Sequence, residues 1–139
     1  MEVKITPAAF NLINEYAKTE YPFEACGILL RDEQTKVITK VKKVSNAFDR
    51  SDSRKYFHMD PIELYEEEKK AAREGLNIVG FFHSHPDCTA AVSEEDLKYM
   101  IPGQIYIIVS LTKKEVLETR AYIKDNPDDT KGRGLYITF

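Results

Sequence analysis

This 139-residue chain has only two cysteines, no apolar run of membrane length and no excess of positive charge. Each shortage excludes something. Cys26 and Cys88 are far apart and form no C-x-x-C pair, and cytosolic cysteines are normally reduced. No apolar stretch approaches the roughly 20 residues of a membrane span. The opening Met1-Glu2-Val3-Lys4-Ile5 has no signal-peptide pattern, so a cytoplasmic protein is expected. Twenty Lys and Arg against 23 Asp and Glu give a formal charge of −3 with no basic stripe, which argues against nucleic acid as the main partner. Internal repeats, low-complexity tracts and interdomain linkers are also missing. One domain over residues 1–139 is the simplest organisation, long enough to bury roughly two-thirds of its unfolded surface without disulfides.

What is present is an alternation of elements. Thr6-Pro7 is a cap followed by Pro, a helix start, and Ala9, Phe10, Leu12, Ile13, Tyr16 and Ala17 form its apolar stripe before Pro22. Ala25–Leu30 reads as a strand, 32–35 as a turn and Lys36–Val44 as a partly exposed strand. Residues 46–54 read as a polar loop and Lys55–Met59 as a short strand. Asp60-Pro61-Ile62-Glu63 starts a second helix that runs to Gly75, with Glu66 and Lys70 as an i,i+4 pair. Gln104–Leu111, Val116–Ile123 and Leu135–Phe139 read as further strands. This order implies an α/β protein, a mixed β-sheet flanked by helices.

Most of the chemistry lies between His83 and Asp96. Asn77–Phe82 is a short apolar run with β-branched and aromatic members, the pattern of a buried strand. If the chain stays extended through His85, His83 and His85 point to the same side and can share one ion. Pro86 ends the strand, Ser93 opens a short helix and Asp96 falls in its first turn, within reach of the two rings. Two imidazoles and a carboxylate leave a tetrahedral zinc one open position, which is the inventory of a catalytic rather than a structural site. Plainer readings remain open: Ser93 and Asp96 also fit a capping box, and a histidine at a strand end is often only a satisfied polar residue. Cys26 reads as a small core residue. Cys88 lies between the ligands, where it could approach the metal or pair with Cys26.

A zinc hydrolase also needs a base outside the ligand set. Most acids sit in solvated runs such as Glu66-Glu67-Glu68, whereas Glu24 stands at the entry to an apolar strand. A carboxylate there needs a partner if buried, and is unremarkable if exposed.

Together these residues resemble the JAMM (MPN+) metalloprotease family, whose signature is an upstream Glu, then H-x-H-P, six residues and S-x-x-D. His83, His85, Pro86, Ser93 and Asp96 match that spacing, Glu24-x-Cys26-Gly27 matches the upstream element, and Gly80 fits. The resemblance runs from the first helix to at least the strand at Gln104. It implies that His83, His85 and Asp96 bind Zn²⁺, that Glu24 is the general acid/base and that Ser93 stabilises the oxyanion. It also implies a cytidine-deaminase-like fold, although the deaminase motif itself is absent. The activity implied is hydrolysis of peptide or isopeptide bonds after the C-terminal Gly-Gly of a ubiquitin-like protein. Without the long insertions of eukaryotic relatives, a compact prokaryotic-type enzyme acting on a sulfur-carrier or modifier protein is expected.

Val92 stands where relatives often have Pro, and Asp87 and Cys88 lie beside the site. Neither departure removes a catalytic residue. The alternatives are a non-catalytic MPN scaffold, a RadC-like DNA-repair-associated protein, whose H-N-H-P-S-G pattern and extra helical segment are absent, and a hydrolase of a small-molecule amide. The sequence carries no signal of oligomeric state.

Overall fold

The computed structural model describes residues 2–44 and 60–139; the expected loop at 46–54 and strand at 55–59 lie outside them. In chain order the elements are β1 (Glu2–Lys4), α1 (Pro7–Glu20), β2 (Cys26–Asp32), β3 (Val37–Lys43), α2 (Pro61–Arg73), β4 (Leu76–Pro86), α3 (Glu94–Tyr99), β5 (Ile105–Leu111), β6 (Val116–Ile123) and β7 (Arg133–Thr138). Thr6 caps α1 by accepting the Ala9 amide at 3.2 Å, and Asp60 caps α2 by accepting the Ile62 amide at 2.9 Å. Gly75 follows α2 at φ +75, the left-handed position that glycine adopts without strain. On α2, Lys70 reaches Glu67 at 3.7 Å rather than the expected Glu66. Glu67 is the carboxylate turned inward, where Lys42 of β3 holds it at 2.7 Å.

The strands form one mixed sheet in the order β1-β7-β6-β5-β4-β2-β3. The pairs β4–β5 and β1–β7 are parallel and the others antiparallel. β1 was not evident in the sequence. It is three residues long, and Ile5 beyond it bridges to Ile38, so this short segment joins both ends of the curled sheet. Among the described residues no helix is long and apolar enough to cross a membrane.

Two apolar layers form on opposite faces. Ile13 and Ala17 of α1 pack with Leu29, Phe82, Ile107 and Val109. Ala71 and Leu64 of α2 pack with Ile28, Leu30 and Phe81. Strand alternation places Phe81 and Phe82 in different layers, so His83 and His85 share the α2 face with Phe81. The centre of the sheet is very tight. A Cβ at Gly80 would stand 1.9 Å from the Ile105 carbonyl oxygen, and one at Gly27 would stand 2.2 Å from the Phe82 ring. Any other residue at Gly80 would push β4 away from β5.

Candidate metal centre

β4 outruns its neighbour β2. The β2 ladder ends at the Cys26–His83 pair, while β5 accompanies β4 to Pro86. The strand end is therefore fixed on the β5 side and presents both imidazoles at the edge of the α2 face. His83 and His85 are 1% and 8% exposed, and their Nε2 atoms lie 3.2 Å apart. Extended backbone through His85 produces this convergence, as the sequence spacing requires.

Asp96 completes the group from α3. The capping box is real: Ser93 Oγ accepts the Asp96 amide at 2.9 Å, and Asp96 Oδ2 accepts the Ser93 amide at 3.1 Å. The same carboxylate places Oδ1 3.0 Å from His83 Nε2 and Oδ2 2.8 Å from His85 Nε2. Cap and candidate ligand are thus one arrangement, because the cap holds the Asp96 carboxylate where it faces the rings.

The donor set fits zinc. Zinc–nitrogen bonds of about 2.0–2.1 Å place the donor atoms of a tetrahedral site about 3.3 Å apart. The two Nε2 atoms, 3.2 Å apart, are close to that edge, and each ring faces its own oxygen of Asp96, at 3.0 Å from His83 and 2.8 Å from His85. His85 Nδ1 lies 2.9 Å from the Thr89 carbonyl, which can only accept, so Nδ1 carries the proton and Nε2 is left for an ion when the ring is neutral. Burial holds His83 below its ordinary pKa against the pull of Asp96. For His85 burial works downward, but the hydrogen bond to Asp96, its charge and the Thr89 carbonyl raise it. Burial works to raise Asp96, yet both imidazoles hold it well below the usual carboxylate range. Among the described residues these three are the group that could hold a metal ion, all donor atoms lying within 4.8 Å.

Glu24 is not an exposed strand-end acid. It is 5% exposed, and its Oε2 has no hydrogen-bond partner among the described residues. Burial first, and then the charge of Asp96, push its pKa up to about 9. A buried carboxylate with an unsatisfied oxygen, close enough to feel a ligand's charge, fits a base that meets a water at the metal. Ser93 stands at the same rim and is exposed. Its oxygen accepts the Asp96 amide, which leaves the hydroxyl proton available to a substrate oxygen. Cys26 is buried and Cys88 exposed, both as free thiols, and neither joins the ligand group.

Sequence reasoning missed the residues that support the ligand loop. Ser110 donates to the Cys88 carbonyl, and Tyr122 donates to the Ala90 carbonyl at 2.8 Å. Buried Lys124 donates to Leu97, in the last turn of α3, at 3.0 Å, and Tyr106 accepts the Ile101 amide at 2.7 Å. The available signal was a lone polar residue in an apolar strand, as at Ser110 within Ile107-Ile108-Val109-Ser110-Leu111.

A family model described as prokaryotic homologs of the JAB domain matches residues 6–122. The chain belongs to this family. The JAB domain here is 32% identical over 97 residues to a desampylase of Haloferax volcanii, covering 69% of this chain and 68% of that protein. It is 34% identical over 100 residues to a desampylase of Pyrococcus furiosus, covering 72% and 66%. It thus spans about two thirds of the length of these relatives. Among solved structures, a Desulfitobacterium hafniense protein superposes with a TM-score of 0.80 at 25% identity, over 98% of this chain and 91% of that one. A JAB1/MPN domain protein of Archaeoglobus fulgidus, at 23% identity and a TM-score of 0.62 over 99% and 100% of the two chains, shares the fold.

Proposed function

We propose that this JAB domain, residues 1–139 as one unit, is a zinc-dependent hydrolase. On this reading it cleaves peptide or isopeptide bonds after the C-terminal Gly-Gly of a ubiquitin-like or sulfur-carrier protein, in the cytoplasm. The observation that carries the reading is the convergence of His83, His85 and Asp96 beside a buried, unsatisfied Glu24. The intact donor set weighs against a non-catalytic scaffold. Two relatives named desampylases and the motif resemblance support a modifier protein as substrate.

His83, His85 and Asp96 would hold the ion. When bound, zinc supplies Lewis acidity that activates water and polarises the scissile carbonyl. Glu24 takes the proton of the attacking water and delivers it to the departing nitrogen as the carbon–nitrogen bond breaks. With its pKa at about 9 the metal-free carboxyl keeps its proton at neutral pH, so it would serve as base where a bound dication lowers that value, and as acid once it has taken the proton. Ser93 donates its hydroxyl proton to the developing oxyanion.

The test is cleavage of a ubiquitin-like protein fused through Gly-Gly to a reporter, read by mass spectrometry with zinc-loaded protein. Wild type should cut after the second Gly. Glu24→Gln should lose on the order of 10²–10⁴-fold in rate while keeping its zinc. Zinc-loaded wild type that cuts no Gly-Gly fusion would overturn the substrate assignment.

A further inference from the structure

Glu24 and the histidines belong to different segments, and their relative position decides whether water lies between base and metal. Two cross-links join these segments. In the first, the Ala25 amide donates to Ser84 Oγ at 2.7 Å and the Ser84 amide donates to the Ala25 carbonyl at 3.0 Å. In the second, the Tyr21 hydroxyl lies 2.9 and 2.8 Å from the two carboxylate oxygens of Asp87. Glu24 falls between Tyr21 and Ala25 on one segment, and His85 falls between Ser84 and Asp87 on the other. Base and ligand are therefore bracketed by a pair of rungs.

Both ends of the Tyr21–Asp87 rung are anchored. The Tyr21 ring packs against the core between α1 and the sheet. Asp87 has a left-handed backbone, φ +59, and its amide donates to the Leu111 carbonyl at 2.7 Å. That conformation is uncommon outside glycine, and aspartate is among the residues that adopt it most readily.

We propose that Tyr21 and Asp87 are positioning residues that hold Glu24 at working distance from the metal ligands. Neither residue belongs to the donor group of His83, His85 and Asp96 or to the E…H-x-H-P…S-x-x-D signature. The inference rests on Glu24 being the base, and Tyr21→Phe tests it because that change keeps the anchored ring and removes only the hydroxyl.

In the zinc-loaded protein, Tyr21→Phe should speed hydrogen exchange at the Phe23, Glu24 and Ala25 amides by about tenfold. Exchange in β4 and β5, and zinc affinity, should stay within about twofold of wild type. With a Gly-Gly fusion, kcat should fall on the order of ten- to a hundredfold with KM nearly unchanged, the cost of a misplacement near 1 Å. In a Glu24→Gln background, Tyr21→Phe should have no further effect on rate. Asp87→Asn, which keeps an acceptor, should fall between wild type and Tyr21→Phe. Unchanged exchange at residues 23–25, loss of zinc from Tyr21→Phe, or a rate loss that multiplies fully with Glu24→Gln would each overturn the inference. If wild type cuts no Gly-Gly fusion, the proposed function fails and the exchange measurement alone decides the rung.

Discussion

At the scale of single residues, Glu24 combines an unfavourable position with a proposed use. Its carboxyl pKa is raised from an ordinary 4.5 to about 9, first by burial and then by Asp96. A group whose folded pKa is raised binds its proton more tightly in the native state. Its stabilising contribution is therefore complete below about 4.5 and is lost as pH rises towards about 9. Metal-free wild type should lose stability across that window relative to Glu24→Gln, by an amount on the order of a few kcal/mol. Urea denaturation of the two metal-free proteins at pH 5, 7 and 9 measures the difference, and parallel curves would contradict it. Zinc should shrink the gap, because a nearby dication favours the ionised carboxylate.

At the scale of elements, α3 has only six residues and owes its place to its cap and its anchors rather than to intrinsic helicity. Ser93→Ala should cost about 1 kcal/mol of stability through the lost cap. It should also weaken zinc binding by about 10- to 100-fold, since the cap orients Asp96. Ser93→Thr should retain both, and chelator competition is the measurement. In the sheet, Gly80→Ala meets the backbone of Ile105. The loss should lie at or above the upper end of the about 1–3 kcal/mol seen for ordinary overpacking, because a carbonyl in a ladder has no alternative rotamer.

Elements with strong punctuation were legible in the sequence. Thr6-Pro7 and Asp60-Pro61 mark helix starts that the structure reproduces, and Val116–Ile123 alternates as the strand it forms. β1 was not legible because three residues show too little alternation, and its pairing with β7 joins opposite ends of the chain. The convergence of His83, His85 and Asp96 was legible because its spacing is local: i,i+2 on a strand and the third position of a helix. The burial of Glu24 was not, since its segment is held to the sheet through Ala25 and Ser84, 59 positions apart. Tyr21 and Asp87 are 66 positions apart, and no local pattern signals their contact.

For the whole molecule, the candidate site draws together the turn before β2, the end of β4 and the start of α3, so a bound metal would be linked to fold stability. An ion that binds only the native state stabilises it by about 4 kcal/mol at a thousandfold excess over its dissociation constant. For a chain of this size that is a rise of roughly 10 °C in Tm, reversed by chelation. The most direct experiment is calorimetric zinc titration of metal-free wild type beside His85→Ala, Asp96→Ala and Glu24→Gln. Wild type and Glu24→Gln should each bind a single zinc per chain with the rise in Tm, while His85→Ala and Asp96→Ala should bind it far more weakly. Zinc binding that survives loss of His85 or Asp96, or its absence from wild type, would contradict the assignment of His83, His85 and Asp96 as the metal centre.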